Sequence, residues 1–151
     1  MIEFFLMTHV LFGMLCIVMA VWVFVDVLNI SETNYSRIKI MTYGVTAVMW
    51  LSYLIAGYWY VVYYGADKAI ILKGPWPFAH SFFMEMKEHV VIMLLLLATY
   101  LPIAASDNLV MNKAARKIVL WVTGLIVMIG VSMDGSGAII AMGVKVGLLP
   151  K

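Results

Sequence analysis

Long apolar runs separated by short polar stretches dominate the chain. Four runs each exceed the ~20 residues that an α-helix needs to cross a bilayer, and they cover residues 2–27, 38–63, 79–104 and 118–146. Because a chain in lipid must satisfy its backbone hydrogen bonds internally, such runs are helices. The pattern predicts an all-α integral membrane protein: a four-transmembrane-helix up-down bundle that forms one domain over residues 1–151.

The connections between the runs are polar or contain helix-breaking residues. Two short polar turns cover residues 29–36 and 106–113. The middle connection, residues 65–78, contains the sequence Gly-Pro-Trp-Pro at 74–77, which cannot be continuous helix because each proline removes a backbone donor. We expect this connection to be a loop that covers one end of the bundle.

Composition agrees with this class. Hydrophobic residues make up 65% of the chain and charged residues 12%, which excludes a soluble domain with one ordinary core. A net charge of +2 gives no basic surface for nucleic acid. Cys16 is the single cysteine, so an internal disulfide is excluded. The first run has no basic residue before it and no small-residue cleavage site after it, so we interpret it as a retained helix.

The basic residues near the helix ends indicate an orientation. Five flank the two short turns, against four on the opposite side. The five are Arg37, Lys39, Lys113, Arg116 and Lys117. By the positive-inside rule, both termini are external, in a multi-pass protein of the cell inner (plasma) membrane.

Titratable residues inside the apolar runs cluster toward one end of the bundle. His9 lies early in run one, Glu85 and His89 lie early in run three, and Asp134 lies late in run four. Antiparallel threading brings these positions to the same side. Polar groups at membrane depth are costly, so each is a candidate for function.

The two histidines suggest a haem. His9 and His89 lie at similar depth on two helices, as the two axial nitrogens of a b-type haem require. Gly13 follows His9 by one turn on the same face and leaves room for a porphyrin. We therefore expect His9 and His89 as metal ligands, with Gly13 in the cofactor site. Polar contact between helices is the alternative.

The start of run three carries two stripes of residues at helical spacing. His89 shares its stripe with Glu85 and Ile92, whereas His80 shares the opposite stripe with Met84 and Lys87. We expect His80 to be interfacial.

Glu85, Lys87 and Glu88 have two interpretations. They are either inside the membrane, where they must pair or face a cavity, or solvated beside it. In the functional interpretation the carboxylate of Glu85 takes protons from a quinol.

Residues 133–137 read Met-Asp-Gly-Ser-Gly. Glycine weakens a helix, so this segment predicts a break in helix four that lines a site, with Asp134 as a catalytic group. The alternative is close helix packing by small residues, which the pair Gly143 and Gly147 also suggests.

Once this layout is drawn, the chain resembles small four-helix membrane haem proteins, namely the HemJ-type protoporphyrinogen oxidases and the copper-resistance D-type membrane domain. The resemblance is carried by His9, by the stretch 37–42 that continues through Trp50 and Gly57, and by Lys87 ahead of a leucine run. It implies a haem-type four-helix bundle in which His9 and Lys87 are important.

These observations predict a membrane b-type cytochrome subunit that carries electrons between quinone or quinol and a partner protein. Haem b and a quinone are the expected cofactors, and the expected partners are the lipid bilayer and other subunits of a membrane oxidoreductase. A non-catalytic accessory subunit and a proton- or ion-translocating subunit are the alternatives.

Overall fold

The computed structural model describes residues 2–149. In that part the chain is helical and forms no strand. Its elements are α1 (Ile2–Leu28), α2 (Tyr35–Val62), α3 (Tyr64–Lys73), a π-helix (Ala79–Met84), α4 (Glu85–Ala104) and α5 (Lys113–Gly147). The π-helix runs directly into α4, so the two form one rod.

Four rods are long and apolar enough to cross a membrane: α1, α2, the π-helix with α4, and α5. They lie in chain order around a ring, with α1 and α4 each packed on α2 and α5. In the described part of the chain α1 and α4 make no backbone contact, because they face each other across the middle. The predicted all-α chain with four long apolar helices is therefore confirmed, and the space between α1 and α4 is the interior.

Two helices begin earlier than their apolar runs. α2 begins at Tyr35 and α5 at Lys113, against predicted starts at 38 and 118. Asn112 caps α5, because its Oδ1 accepts the backbone N–H groups of Ala114 and Ala115 at 3.0 Å each. The hydrophobic pattern does not detect the first turn of α5, because the residues of this turn are mostly basic and small. The side-chain cap at Asn112 stabilises the turn.

α5 continues without interruption through residues 134–137. The predicted break in helix four is therefore wrong. A helical glycine costs about 1 kcal/mol relative to alanine, which the packing of a long helix offsets. The small residues provide close contact instead, as where a β-carbon on Gly130 would lie 2.9 Å from Cγ1 of Ile17.

The connection between α2 and α4 is half helical. α3 occupies its first part and ends at Gly74, before the two prolines. Ile71 of α3 is fully buried against Ala79, Ile140 and their neighbours. The connection does cover one end of the bundle, as predicted, but as a packed helix rather than a loop. We call this the α3 end, and the end that carries the turns 29–34 and 105–112 the loop end.

Toward the loop end the bundle is closed. Asp26 accepts two hydrogen bonds of 2.8 Å from the guanidinium of Arg37, which ties the end of α1 to the start of α2. The core between this pair and the middle of the bundle is apolar and buried. It includes Ala20, Val23, Val45, Leu94, Ala98, Leu101, Val119, Val122 and Ile126.

Candidate functional site

The side chain of His9 on α1 is hydrogen-bonded to α2. Its Nδ1 lies 3.2 Å from the backbone carbonyl oxygen of Ser52 and 2.9 Å from the Ser52 hydroxyl, which itself donates to the backbone carbonyl of His9 at 3.2 Å. A carbonyl oxygen only accepts, so this arrangement places the hydrogen of a neutral imidazole on Nδ1. Nε2 is then left with a lone pair for a ligand.

Asp134 of α5 approaches α1 at Gly13, one turn after His9. A β-carbon on Gly13 would lie 3.5 Å from Oδ1 of Asp134, in ordinary van der Waals contact. The space that the sequence suggested for a porphyrin is therefore occupied by a carboxylate from α5.

The side chain of Lys87 extends from α4 toward His9 and Asp134. A β-carbon on Gly137 would lie only 3.1 Å from Nζ of Lys87, so this glycine makes room for the ammonium group. The Lys87 ammonium, the Asp134 carboxylate and the His9 imidazole lie close enough to influence one another electrostatically. No carboxylate of residues 2–149 lies within 4.0 Å of the ammonium, and no hydrogen bond from it is formed there.

Two cavities meet at the side chains of His9, Lys87 and Asp134, which we call the polar trio. A small cavity of about 60 Å³ lies on the loop-end side, beside Cys16, Met49 and Ser52, and all three members of the trio line it. A large cavity of about 360 Å³ lies toward the α3 end. His9 and Lys87 line both, so the trio separates the large cavity from the closed core.

The large cavity has apolar walls and acidic groups near the α3 end. Leu6, Val91, Ile140 and Val144 are among its apolar residues, with the aromatic rings of Tyr53, Trp59 and Tyr60. Glu88 and Asp67 also line it. The Tyr60 hydroxyl donates to Oε1 of Glu88 at 2.5 Å. Partial burial raises the pKa of the Asp67 carboxyl.

Two predicted site residues lie elsewhere. Glu85 and His89 are both exposed on the outward face of α4, and neither lines a cavity of the trio. His89 Nδ1 donates to the carbonyl oxygen of Glu85, one turn before it, at 2.7 Å. The structure therefore brings His9, Gly13 and Asp134 together, but not Glu85 and His89.

A haem ligated by two histidines does not fit this arrangement. His9 has the bond pattern of a metal-binding imidazole, since its other nitrogen is fixed by a carbonyl. The second axial nitrogen is missing, because His89 faces outward. The large cavity is also near the lower limit of ~300–1,000 Å³ for ligand pockets, which suits a single ring better than a macrocycle.

Sequence reasoning missed a second polar pair. His80 is 4% exposed and Tyr64 2%, and the Tyr64 hydroxyl lies 2.9 Å from Nδ1 of His80. His80 was expected at the interface, but α3 covers it. Only the presence of α3 could have revealed this burial.

Comparison with protein-family models, with curated proteins and with solved structures gave no match. The geometry of the trio and its cavities therefore carries the functional argument.

Proposed function

We propose that the protein lies in a membrane and binds a quinone-class molecule in the large cavity, as part of a membrane oxidoreductase. The observation that carries this proposal is the ammonium of Lys87, which reaches a largely apolar cavity without an acceptor among residues 2–149. A buried cation without a hydrogen-bond acceptor is costly, even with the carboxylate of Asp134 nearby. A ligand oxygen at the base of the cavity removes that cost.

The residues that line the large cavity restrict the class of ligand that it can bind. Aromatic side chains stack well on a flat ring, and Tyr53, Trp59 and Tyr60 provide them. The carboxylates of Glu88 and Asp67 repel an anionic head group such as a phosphate or a fatty acid. A neutral ring with carbonyl or hydroxyl oxygens and an apolar tail meets both conditions, and quinones have this structure.

The polar trio supports proton chemistry at such a ring. Quinones gain and lose protons with their electrons, and imidazole, ammonium and carboxylate groups are general acids and bases. His9 and Lys87 place an imidazole and an ammonium on the large cavity, and the carboxylate of Asp134 lies behind them on the small one. Asp134 keeps its predicted catalytic role as a proposal, with Lys87 as the group that contacts the ligand.

The test is calorimetric binding of decyl-ubiquinone to the purified protein in detergent. Loss of a hydrogen bond from a charged donor costs ~1.5–3 kcal/mol, so Lys87→Met should weaken binding at least about tenfold. Lys68→Met is the matched control, because Lys68 is exposed on α3 and does not line the cavity. Equal affinity in all three proteins, or no binding by the unmodified protein, would contradict the proposal.

Haem binding with His9 as the one histidine ligand is a second candidate. The hydrogen bond from His9 to Ser52 favours it. His9 and Lys87, which carry the resemblance to membrane haem proteins, also line the same cavity. When bound, a haem supplies one-electron chemistry. A reduced-minus-oxidised spectrum tests it: His9→Ala should remove the haem bands and His89→Ala should retain them. Protein that is colourless after haem-sufficient growth would exclude this candidate.

Translocation of protons or ions has less support. A route across the bundle needs polar groups beyond the trio, and the buried core on its loop-end side is apolar. Its three threonine hydroxyls, those of Thr42, Thr46 and Thr123, bond to backbone carbonyls. Flux into vesicles that Asp134→Asn abolishes is the result that would restore this alternative.

A further inference from the structure

The large cavity is polarised between two sides. Lys87 extends toward Gly137 of α5 and offers only hydrogen-bond donors. Glu88, which is bonded to Tyr60 of α2, and Asp67 of α3 offer acceptors when they are ionised. A ligand that spans the cavity therefore meets donors on one side and acceptors on the other.

Glu88 has one oxygen available. Tyr60 donates to Oε1 at 2.5 Å, which fixes the carboxylate relative to α2. No residue among 2–149 donates to Oε2, so this oxygen can accept a hydrogen from a ligand.

The oxidised and reduced forms of a quinone match this polarity differently. Both oxygens of a quinone are carbonyls and only accept, so one of them would face a carboxylate without a hydrogen between them. A quinol carries two hydroxyls, and a hydroxyl both donates and accepts. One hydroxyl can accept from Lys87 while the other donates to Glu88.

We propose that the site prefers the quinol to the quinone and that Glu88 is the residue that discriminates between them. This inference rests on the proposed function, and it replaces Glu85 with Glu88 as the carboxylate that meets the ligand. Other titratable groups lie near Glu88 or line the same cavity. They are His9 on α1, Tyr60 on α2, Tyr64 and Asp67 on α3 and Lys87 on α4.

The experiment measures the dissociation constants of decyl-ubiquinol and decyl-ubiquinone by anaerobic calorimetry at neutral pH. A hydrogen bond to a charged acceptor should favour the quinol about tenfold or more in the unmodified protein. Glu88→Gln keeps the size of the side chain but turns its free oxygen into an N–H donor when Tyr60 holds the amide oxygen. The preference should then vanish or reverse toward the quinone.

Glu85→Gln is the matched control, because Glu85 lies on the same helix and is exposed like Glu88 but does not line the cavity. It should keep the preference for quinol. Tyr60→Phe is a second variant that frees the carboxylate to move, and it should reduce the preference without reversing it.

The outcomes separate the two proposals. Lys87→Met should weaken both forms equally, since both accept from the ammonium. If both forms bind and Glu88→Gln keeps the preference, or if the unmodified protein shows none, the role of Glu88 is overturned while the quinone site stands. If neither form binds, the proposed function fails and the inference fails with it.

Discussion

At the scale of single residues, the charges of the site lie against two glycines. Oδ1 of Asp134 lies 3.5 Å from the β-carbon position of Gly13 on α1, which is ordinary contact. The ammonium of Lys87 lies 3.1 Å from that of Gly137 on α5, where a β-carbon would crowd it. The position of the ammonium therefore depends on the missing β-carbon of Gly137 as well as on the lysine itself.

Gly137→Ala should therefore weaken quinone binding without unfolding the protein. The new β-carbon would lie 3.1 Å from Nζ of Lys87, and the flexible end of the lysine must move by a few tenths of an ångström. We expect affinity for decyl-ubiquinone to fall about threefold to tenfold, as for a weakened charged hydrogen bond. Gly135→Ala is the control, because nothing lies within 4 Å of its β-carbon position. Equal losses in both variants would argue against a role for this space.

The stripes of α4 show how far a sequence can locate a site. The grouping of Glu85, His89 and Ile92 on one stripe and of Met84 and Lys87 on the other is confirmed. The sequence suggests the stripe of Glu85 and His89 for the site. In the structure the large cavity is instead lined by Met84 and Lys87 of the other stripe. A helix with apolar residues on all sides gives no periodic signal for which face is inward.

At the scale of elements, α3 and the π-helix pack on the end of α5 through glycine. A β-carbon on Gly143 would lie 2.7 Å from Cβ of Ala79 in the π-helix, and one on Gly147 would lie 2.7 Å from Cγ2 of Ile70 in α3. A β-carbon on Gly74 would lie 3.0 Å from Cα of Gly147. The pair Gly143 and Gly147, which the sequence suggested for helix packing, is used inside this chain.

Substitution at this crossing should destabilise the fold. Gly143→Ala forces the π-helix away from α5, and Gly147→Ala forces α3 away from it. Overpacking of this kind costs about 1–3 kcal/mol in the free energy of unfolding. Gly57→Ala is the control, with nothing within 4 Å of its β-carbon position, and should be neutral or slightly stabilising. Thermal unfolding in detergent measures the difference. An unchanged midpoint at 143 would show that the π-helix does not pack on α5 as described, and one at 147 would show the same for α3.

The packing of α3 was beyond sequence reasoning for a physical reason. Its ten residues are too few and too polar to signal a spanning helix, and the two prolines that follow suggest an irregular connection. Burial of Ile71, Tyr64 and His80 depends on contacts with α5 and the π-helix, which lie far along the chain. Local pattern predicts helices, but it does not predict this docking.

At the scale of the whole molecule, the site lies at one end of the bundle. The start of α1, α3 and the end of α5 share that end, and the large cavity lies beneath α3. Among residues 2–149, eight basic residues lie outside the site, and five of them are near the loop end, so the proposed orientation places α3 on the external side of the membrane. The proposed ligand would then exchange its protons with that side.

Cysteine labelling tests this orientation. In protein with Cys16 replaced, we expect an impermeant reagent added to intact cells to label a cysteine at Lys68 but not one at Met111. Lys68 is exposed on α3, and Met111 is 78% exposed at the loop end. Labelling of Met111→Cys should require permeabilisation. The reverse pattern would place the α3 end and its cavity in the cytoplasm.

The central claim is that a quinone binds in the large cavity. Photocrosslinking tests it most directly, because it identifies the residues next to the bound quinone. A decyl-quinone with an azide on its ring, activated in the purified protein, should label the peptides that carry the cavity-lining residues of α2 and α4. These residues include Tyr53, Trp59 and Tyr60 on α2 and Lys87, Glu88 and Val91 on α4. Excess decyl-ubiquinone should abolish this labelling, and Lys87→Met should reduce it. Labelling confined to the outward residues 92–93 and 96, unaffected by competitor, would show that the quinone meets only the apolar surface and would contradict the account.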